Sequence, residues 1–268
     1  MGDIDYMNWA RQNGYDVWGL FRNEFDIEIA NKVLNRKESR DKMVKLLLDY
    51  TWKYGLDGIN IDFENIYFND RHALSQFARE LAFVLREQGV ITSIDVTKIE
   101  PGSWTWSMCY DRKALGEDLD YVALMAYDQN GSWSKQSGSV AQLSWVERAL
   151  REMSEQVAPE KILLGIPFYT MLWEEQNGKV IKNSAISMGA SQNIIKQNNA
   201  QLTWDDVSGQ QIATYKKGNS TFKIWVEDAV SIRLKVSLVD KYGIAGVAGW
   251  RRGLETPDIW SELKRSLN

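Results

Sequence analysis

Apolar residues along the chain recur with two periods, and the two kinds of segment alternate. Val17-Trp18-Gly19-Leu20-Phe21 is a short apolar run after the Asn13-Gly14 turn and predicts a strand. Between Ser39 and Tyr54 the spacing becomes helical: Met43, Leu46, Leu47, Tyr50 and Tyr54 share one face, and Gly55 ends the segment. Gly58 to Glu64 predicts the next strand. Arg71 to Gln88 predicts a helix with Leu74, Phe77, Ala78, Leu81, Val84 and Leu85 turned inward and Gly89 as its stop. Val90–Val96 and Tyr121–Tyr127 read as strands. Ser144-Trp145-Val146-Glu147 has the form of a capping box for a helix running to about Val157. Ile162–Tyr169 is expected as a strand, Ala229–Tyr242 as a helix and Ile244–Trp250 as a strand. A last helix is expected over Pro257–Leu267, with Thr256 as its cap. Tyr6 to Arg11 reads as a helix near the start.

Strands alternating with helices of these lengths argue for an α/β fold with a parallel sheet. The stretch 170–228 breaks the rhythm. Leu202-Thr203-Trp204, the run 211–215 and the run 222–225 look like short antiparallel strands, separated by Gly209 and the Lys217-Gly218-Asn219 turn. The expected organisation is one α/β body over 1–169 and 229–268, with 170–228 as a small α+β insertion before the last helix–strand pair.

One strand carries an unusual stripe. Asn60, Asp62 and Glu64 alternate with Ile59, Ile61 and Phe63, so a strand there places the three polar groups on one side. Two carboxyls on one strand face repel, and one of them is expected to be pushed above the usual carboxylate range, fitting it for proton donation near neutral pH. Composition narrows the chemistry. The 268 residues contain one histidine, His72, and one cysteine, Cys109. That excludes a histidine-rich metal site and a disulfide framework. A net charge of −4 without a basic run gives no support to nucleic-acid binding. No apolar run is long enough to span a membrane, and no signal peptide opens the chain. His72 at a helix start reads as a surface or cap residue and Cys109 as a small buried group. Trp104, Trp106 and Trp133 follow predicted strands, and loop packing and sugar stacking are both open to them.

These residues together resemble the family 18 glycoside hydrolases. The fourth barrel strand of that family carries D-x-x-D-x-D-x-E, and Asp57-Gly58-Ile59-Asn60-Ile61-Asp62-Phe63-Glu64 matches it except that Asn60 replaces the middle acid. Met125-Ala126-Tyr127-Asp128 is similar to the family's sixth strand, Leu164-Gly165-Ile166-Pro167-Phe168-Tyr169 to its seventh, and Gly246-Val247-Ala248-Gly249-Trp250 to its eighth. Where the family's third strand often has S-x-G-G, this chain has Gly19-Leu20-Phe21-Arg22-Asn23. The wording of the fourth strand and the ending Trp250-Arg251-Arg252-Gly253-Leu254-Glu255 look most like bacterial spore and cell-wall N-acetylglucosaminidases.

The resemblance implies a (β/α)8 TIM-barrel fold, here lacking the first one or two strands, since about six of eight are found. It implies substrate-assisted hydrolysis with retention, in which the sugar's own acetamido group is the nucleophile. Glu64 would be the acid, Asp62 would orient the acetamido group, and Tyr127 would donate to its oxygen. Asn60 would support Asp62 by a hydrogen bond, Asp128 and Tyr169 would line the site, and Trp250 would pack under the sugar. No metal or cofactor is implied. The expected partner is a GlcNAc-containing polysaccharide outside the cytoplasm, with peptidoglycan or spore cortex first. Chitin or N-glycan cores are the first alternative, and glycan binding without catalysis is the second. An incomplete barrel also leaves room for self-association.

Overall fold

The computed structural model describes residues 3–267; Met1, Gly2 and Asn268 lie outside the described residues. The chain divides into two compact units. The first comprises 1–124 and 153–162, the second 125–152 and 163–268.

The first unit opens with α1 (Ile4–Gln12), capped by the Asp3 carboxylate accepting from the Tyr6 N–H. Then come β1 (Trp18–Arg22), α2 (Ile27–Leu34), α3 (Lys37–Tyr54), β2 (Gly58–Asp62), α4 (Arg71–Arg86), β3 (Ile91–Thr97), α5 (Arg112–Asp118) and β4 (Tyr121–Met125). The strands lie in the order β1-β2-β3-β4, with β1, β2 and β3 parallel. Helix α2 was not anticipated from the pattern, being only eight residues long; Asp26 caps it through the Ile29 N–H. Gly55, at φ 58°, ends α3 in the left-handed conformation that glycine adopts without strain. The apolar side of β2 is sealed as expected: Ile59, Ile61 and Phe63 are buried, and Phe63 stacks on Phe77 of α4 at 5.9 Å between ring centroids.

Strand β2 stops at Asp62 rather than running on to Glu64. Beyond that point side chains take over the backbone polar groups. Tyr110 donates its hydroxyl to the Phe63 carbonyl at 2.9 Å. The Asn23 side chain accepts from the Glu64 N–H at 3.0 Å and donates to the Glu64 carbonyl at 2.8 Å. These bonds satisfy groups that a ladder would otherwise have to pair.

The second unit contains α6 (Leu143–Ser154), β5 (Ile162–Pro167), β6 (Tyr169–Gln176), β7 (Lys179–Ser187), α7 (Met188–Gln197), β8 (Gln201–Asp205), β9 (Gln210–Lys217), β10 (Ser220–Trp225), α8 (Ala229–Tyr242), β11 (Gly246–Trp250) and α9 (Asp258–Ser266). β11 runs parallel to β5. The others form an antiparallel sheet in the order β7-β6-β10-β9-β8. Three of its strands coincide with those expected; β6, β7 and α7 are additional. The β6–β7 hairpin turns through Asn177 and Gly178, at φ 49° and 74°, as a two-residue Asn-Gly loop requires.

Three expected boundaries are corrected. α6 starts at Leu143, so Ser144 sits inside its first turn and is not the cap. The strand expected over Ile162–Tyr169 ends at Pro167: the Phe168 N–H bonds to the Trp250 carbonyl, and Tyr169 begins a strand of the other sheet. In α9 the cap position is held by Pro257, not Thr256.

The second unit also buries an ion pair. Lys235 Nζ lies 3.0 Å from each Glu227 oxygen, and Gln210 and Ser231 complete the carboxylate's hydrogen bonds at 2.8 and 2.7 Å. Both side chains are at most 1% exposed. Removing one partner strands a charge away from water, which costs about 3–5 kcal/mol. Glu227→Ala is therefore expected to lower the unfolding free energy by about that much in urea titration, against a small effect for a surface Glu→Ala.

Candidate active site

Asn60 and Asp62 occupy alternate positions on β2, and Glu64 follows two residues beyond, at the C-terminal end of a parallel strand. Barrel enzymes assemble their chemistry at that end. Asp62 is half-buried, and its Oδ1 is buried with no hydrogen-bond partner among the described residues. Burial pushes its carboxyl above the usual range; Arg22 on β1 opposes the shift and Glu24 adds to it.

Asn60 was expected to hold Asp62, but its side chain is committed elsewhere. Its amide donates to Asp95 Oδ2 at 2.7 Å, and its oxygen accepts from the Ser93 hydroxyl at 2.6 Å. The β2–β3 register makes this pairing, since Asn60 lies opposite Ser93. Asp95 is pushed up to about 7, first by burial and then by the negative charge of Asp62, with Glu64 adding to it and the Asn60 hydrogen bond opposing it. The group displaced to neutrality here is thus an acid on β3. Sequence reasoning passed over Asp95, Ser93 and the brackets Asn23 and Tyr110. The signal for the first two was present: Ser93, Asp95 and Thr97 recur at every second position of β3, the same polar stripe that drew attention to β2.

The second unit gathers another set. Tyr127 and Asp128 directly follow β4, with Asp128 in the left-handed region at φ 60°. Tyr169, the first residue of β6, donates its hydroxyl to Asp128 Oδ1 and meets the Tyr127 ring edge-on at 6.4 Å. Burial raises Asp128, and the Tyr169 hydrogen bond partly offsets that; burial first, and then Asp128, raise the Tyr169 hydroxyl well above its ordinary value. Trp250 closes β11 opposite Pro167 and is 42% exposed, so one side of its indole remains open. Trp104, Trp106 and Trp133 are also exposed; Trp104 packs edge-on against Phe68, and Trp106 lies tilted against Phe25. Cys109 is buried, and the His72 side chain is largely exposed. Among the described residues no three His, Cys, Asp or Glu side chains are grouped so as to hold a metal ion.

The family model for glycosyl hydrolases family 18 matches residues 28–255, spanning Asn60, Asp62, Glu64, Asp95, Tyr127, Asp128, Tyr169 and Trp250. The chain belongs to that family. It is a glycosidase, built as a partial TIM barrel with a small antiparallel insertion. Among curated proteins it is 26% identical to the glycosylase YvbX of Bacillus subtilis, over 97% of this chain and 77% of that protein. It is 25% identical to the cortical fragment-lytic enzyme of Bacillus subtilis, over 94% of this chain but only 59% of that protein. The chain therefore spans less than two thirds of the cortex-enzyme relative. Among solved structures, a chitinase of Chromobacterium violaceum superposes with a TM-score of 0.91 at 26% identity, covering 100% of this chain and 84% of that one. The Bacillus cereus spore cortex-lytic enzyme SleL has the same fold, with a TM-score of 0.89 at 23% identity over 98% of this chain and 62% of that one.

The raised Asp95 carries a stability signature. In the folded chain it keeps its proton up to about 7, whereas the unfolded chain releases it near 3.8, as an ordinary aspartate does. Between those two values the folded state binds more protons, so stability from this group falls as pH rises and is lowest above about 7. Asp95→Asn, neutral at every pH, is expected to match wild type near pH 4 and to melt at a higher temperature than wild type near pH 8. Thermal denaturation across that range measures the difference.

Proposed function

We propose that this chain hydrolyses β-1,4 bonds of GlcNAc-containing glycans, with peptidoglycan of the cell wall or spore cortex as the substrate class, by substrate-assisted catalysis with retention. The observation that carries this reading is the Asp62–Glu64 pair at the end of β2, with a buried Asp62 oxygen that has no hydrogen-bond partner among the described residues. An acetamido N–H of a bound sugar would satisfy that oxygen, and the same contact would turn the acetamido carbonyl toward the anomeric carbon. Glu64 then protonates the glycosidic oxygen and afterwards activates water. Asp62, ionised, stabilises the positive oxazolinium ring. Tyr127 donates to the acetamido oxygen, and Asp128 and Tyr169 line the sugar's polar edge. Asn60 holds Asp95 rather than the sugar, and the partly exposed Trp250 indole offers a stacking floor.

The cortex-lytic relatives favour peptidoglycan, and a substrate of that kind would place the chain's work outside the cytoplasm. No helix among the described residues is long and apolar enough to cross a membrane. Chitin is a second reading, favoured by the chitinase likeness at 26% identity.

One measurement separates these readings, and a second tests the mechanism they share. Mass spectrometry of digests should show cortex fragments ending in reducing GlcNAc; release of chitobiose from chitin, with cortex left intact, would transfer the assignment to chitin. Glu64→Gln is expected to lower kcat by at least about a thousandfold, beyond the usual general acid–base contribution of 10²–10⁴ at its low end. Calorimetry should show oligosaccharide binding preserved in that variant. Near-wild-type turnover would remove Glu64 from its role.

A further inference from the structure

Asp95 is an acid in an expensive place. Its carboxyl lies on β3, against the polar stripe of β2, and one of its oxygens is tied to the Asn60 amide at 2.7 Å. The other end of that amide is fixed by Ser93 at 2.6 Å, so Asn60 can be aimed in only one way. Among the described residues, the charges that act on Asp95 are those of Asp62 and Glu64, both acids reached from β2 and its continuation. Asp62 in turn faces Arg22 and Glu24 from β1, so what positive charge there is helps Asp62 and not Asp95. A half-buried carboxyl beside two other acids is retained at a cost unless it has work to do. The position that Asn60 occupies is also the one where the family's pattern carries an acid.

We propose that Asp95 is a positioning residue for the hydrolytic acids: held in place by the Asn60 amide, it supplies, one strand over, the carboxyl that position 60 lacks, and acts on Asp62 and Glu64 through its charge. Below neutrality it is the neutral member of the set and leaves the negative charge to Asp62. When it ionises it adds a like charge beside both acids and changes how readily Glu64 gives up a proton. This rests on the reading of Asp62 and Glu64 as the hydrolytic pair.

The test compares wild type, Asp95→Asn, and the exchange that combines Asn60→Asp with Asp95→Asn. Initial rates are measured between pH 5 and pH 9 on the GlcNAc oligosaccharide that wild type cleaves. At the acid end Asp95→Asn should keep kcat within about twofold of wild type, because both side chains are neutral there. Towards pH 9 the ratio of the two kcat values should change about tenfold, the worth of one pKa unit in a neighbouring acid, with KM little altered. The exchange should restore the wild-type shape of the profile, since the carboxyl is again present on the adjoining strand. A ratio that stays constant across the range would overturn the proposal. So would a uniform loss that follows the melting temperature and is not recovered by the exchange.

Carbon-13 NMR of the aspartate carboxyls gives a readout that needs no turnover. Asp95 should titrate near neutrality, and Asp62→Asn should move its titration to lower pH; an unmoved Asp95 would overturn the proposal. If wild type cleaved no GlcNAc glycan, the functional reading would fall, and this titration would still decide whether Asp95 and Asp62 are coupled.

Discussion

Carboxyls crowded into a half-buried corner, with little positive charge to balance them, set the terms for the first unit. Asp62, Glu64 and Asp95 come together at the end of β2 and on its neighbour β3, and they cannot all be ionised without cost. The surroundings decide which one yields. Both Asp62 and Asp95 are half-buried, but Asp62 feels Arg22, whereas Asp95 is pushed up by Asp62 and Glu64 and opposed only in part by the Asn60 hydrogen bond. The backbone around them is held by side chains instead of a ladder. Asn23 brackets the Glu64 peptide from both sides, and Tyr110 takes the carbonyl before it. The acid is therefore carried by a loop residue with the fixity of a strand residue, as pre-organised chemistry requires.

Much of this architecture could be read before any coordinates. Helices with long apolar faces, such as α4 and α8, came out close to their observed limits, because burial of one face dominates their stability; α3 ends where Gly55 was expected to stop it, but it buries Val44, Leu47 and Thr51 and leaves Leu46 and Tyr50 of the expected face exposed. Short elements did not. Helix α2 rests on one cap and two buried residues, Ala30 and Leu34, too little periodicity to stand out. The insertion was seen as a change of rhythm, yet two of its strands were missed. In β6, Trp173 is buried while its neighbours Glu174 and Glu175 spend their charge on Ser220, Ser137 and Lys223, so acids occur where a strand pattern would want apolar residues. The Asn177-Gly178 turn was the better guide.

The site was legible to the extent that alternation along one strand reveals it. Asn60 and Asp62 were found because they share a stripe; Asp95 was not, because its significance depends on which strand lies alongside and in what register. Cross-strand register is a tertiary fact. The same limit explains Asn60. Its expected partner was the nearest polar residue on its own strand, whereas two residues of β3 lie within closer reach. The shift of one carboxyl toward neutrality was anticipated for the pair on β2, and the largest such displacement resolved in this cluster fell on the unforeseen member.

Tyr169 draws a line that matters to anyone recombining these proteins. It is the opening residue of the first insertion strand, yet its hydroxyl is spent on Asp128, outside the insertion. The antiparallel sheet is consequently no detachable cassette. A chimera that imports a foreign insertion with its junction placed before this tyrosine would leave Asp128 without its donor, so the splice belongs one residue later, with the native phenol kept on the recipient side.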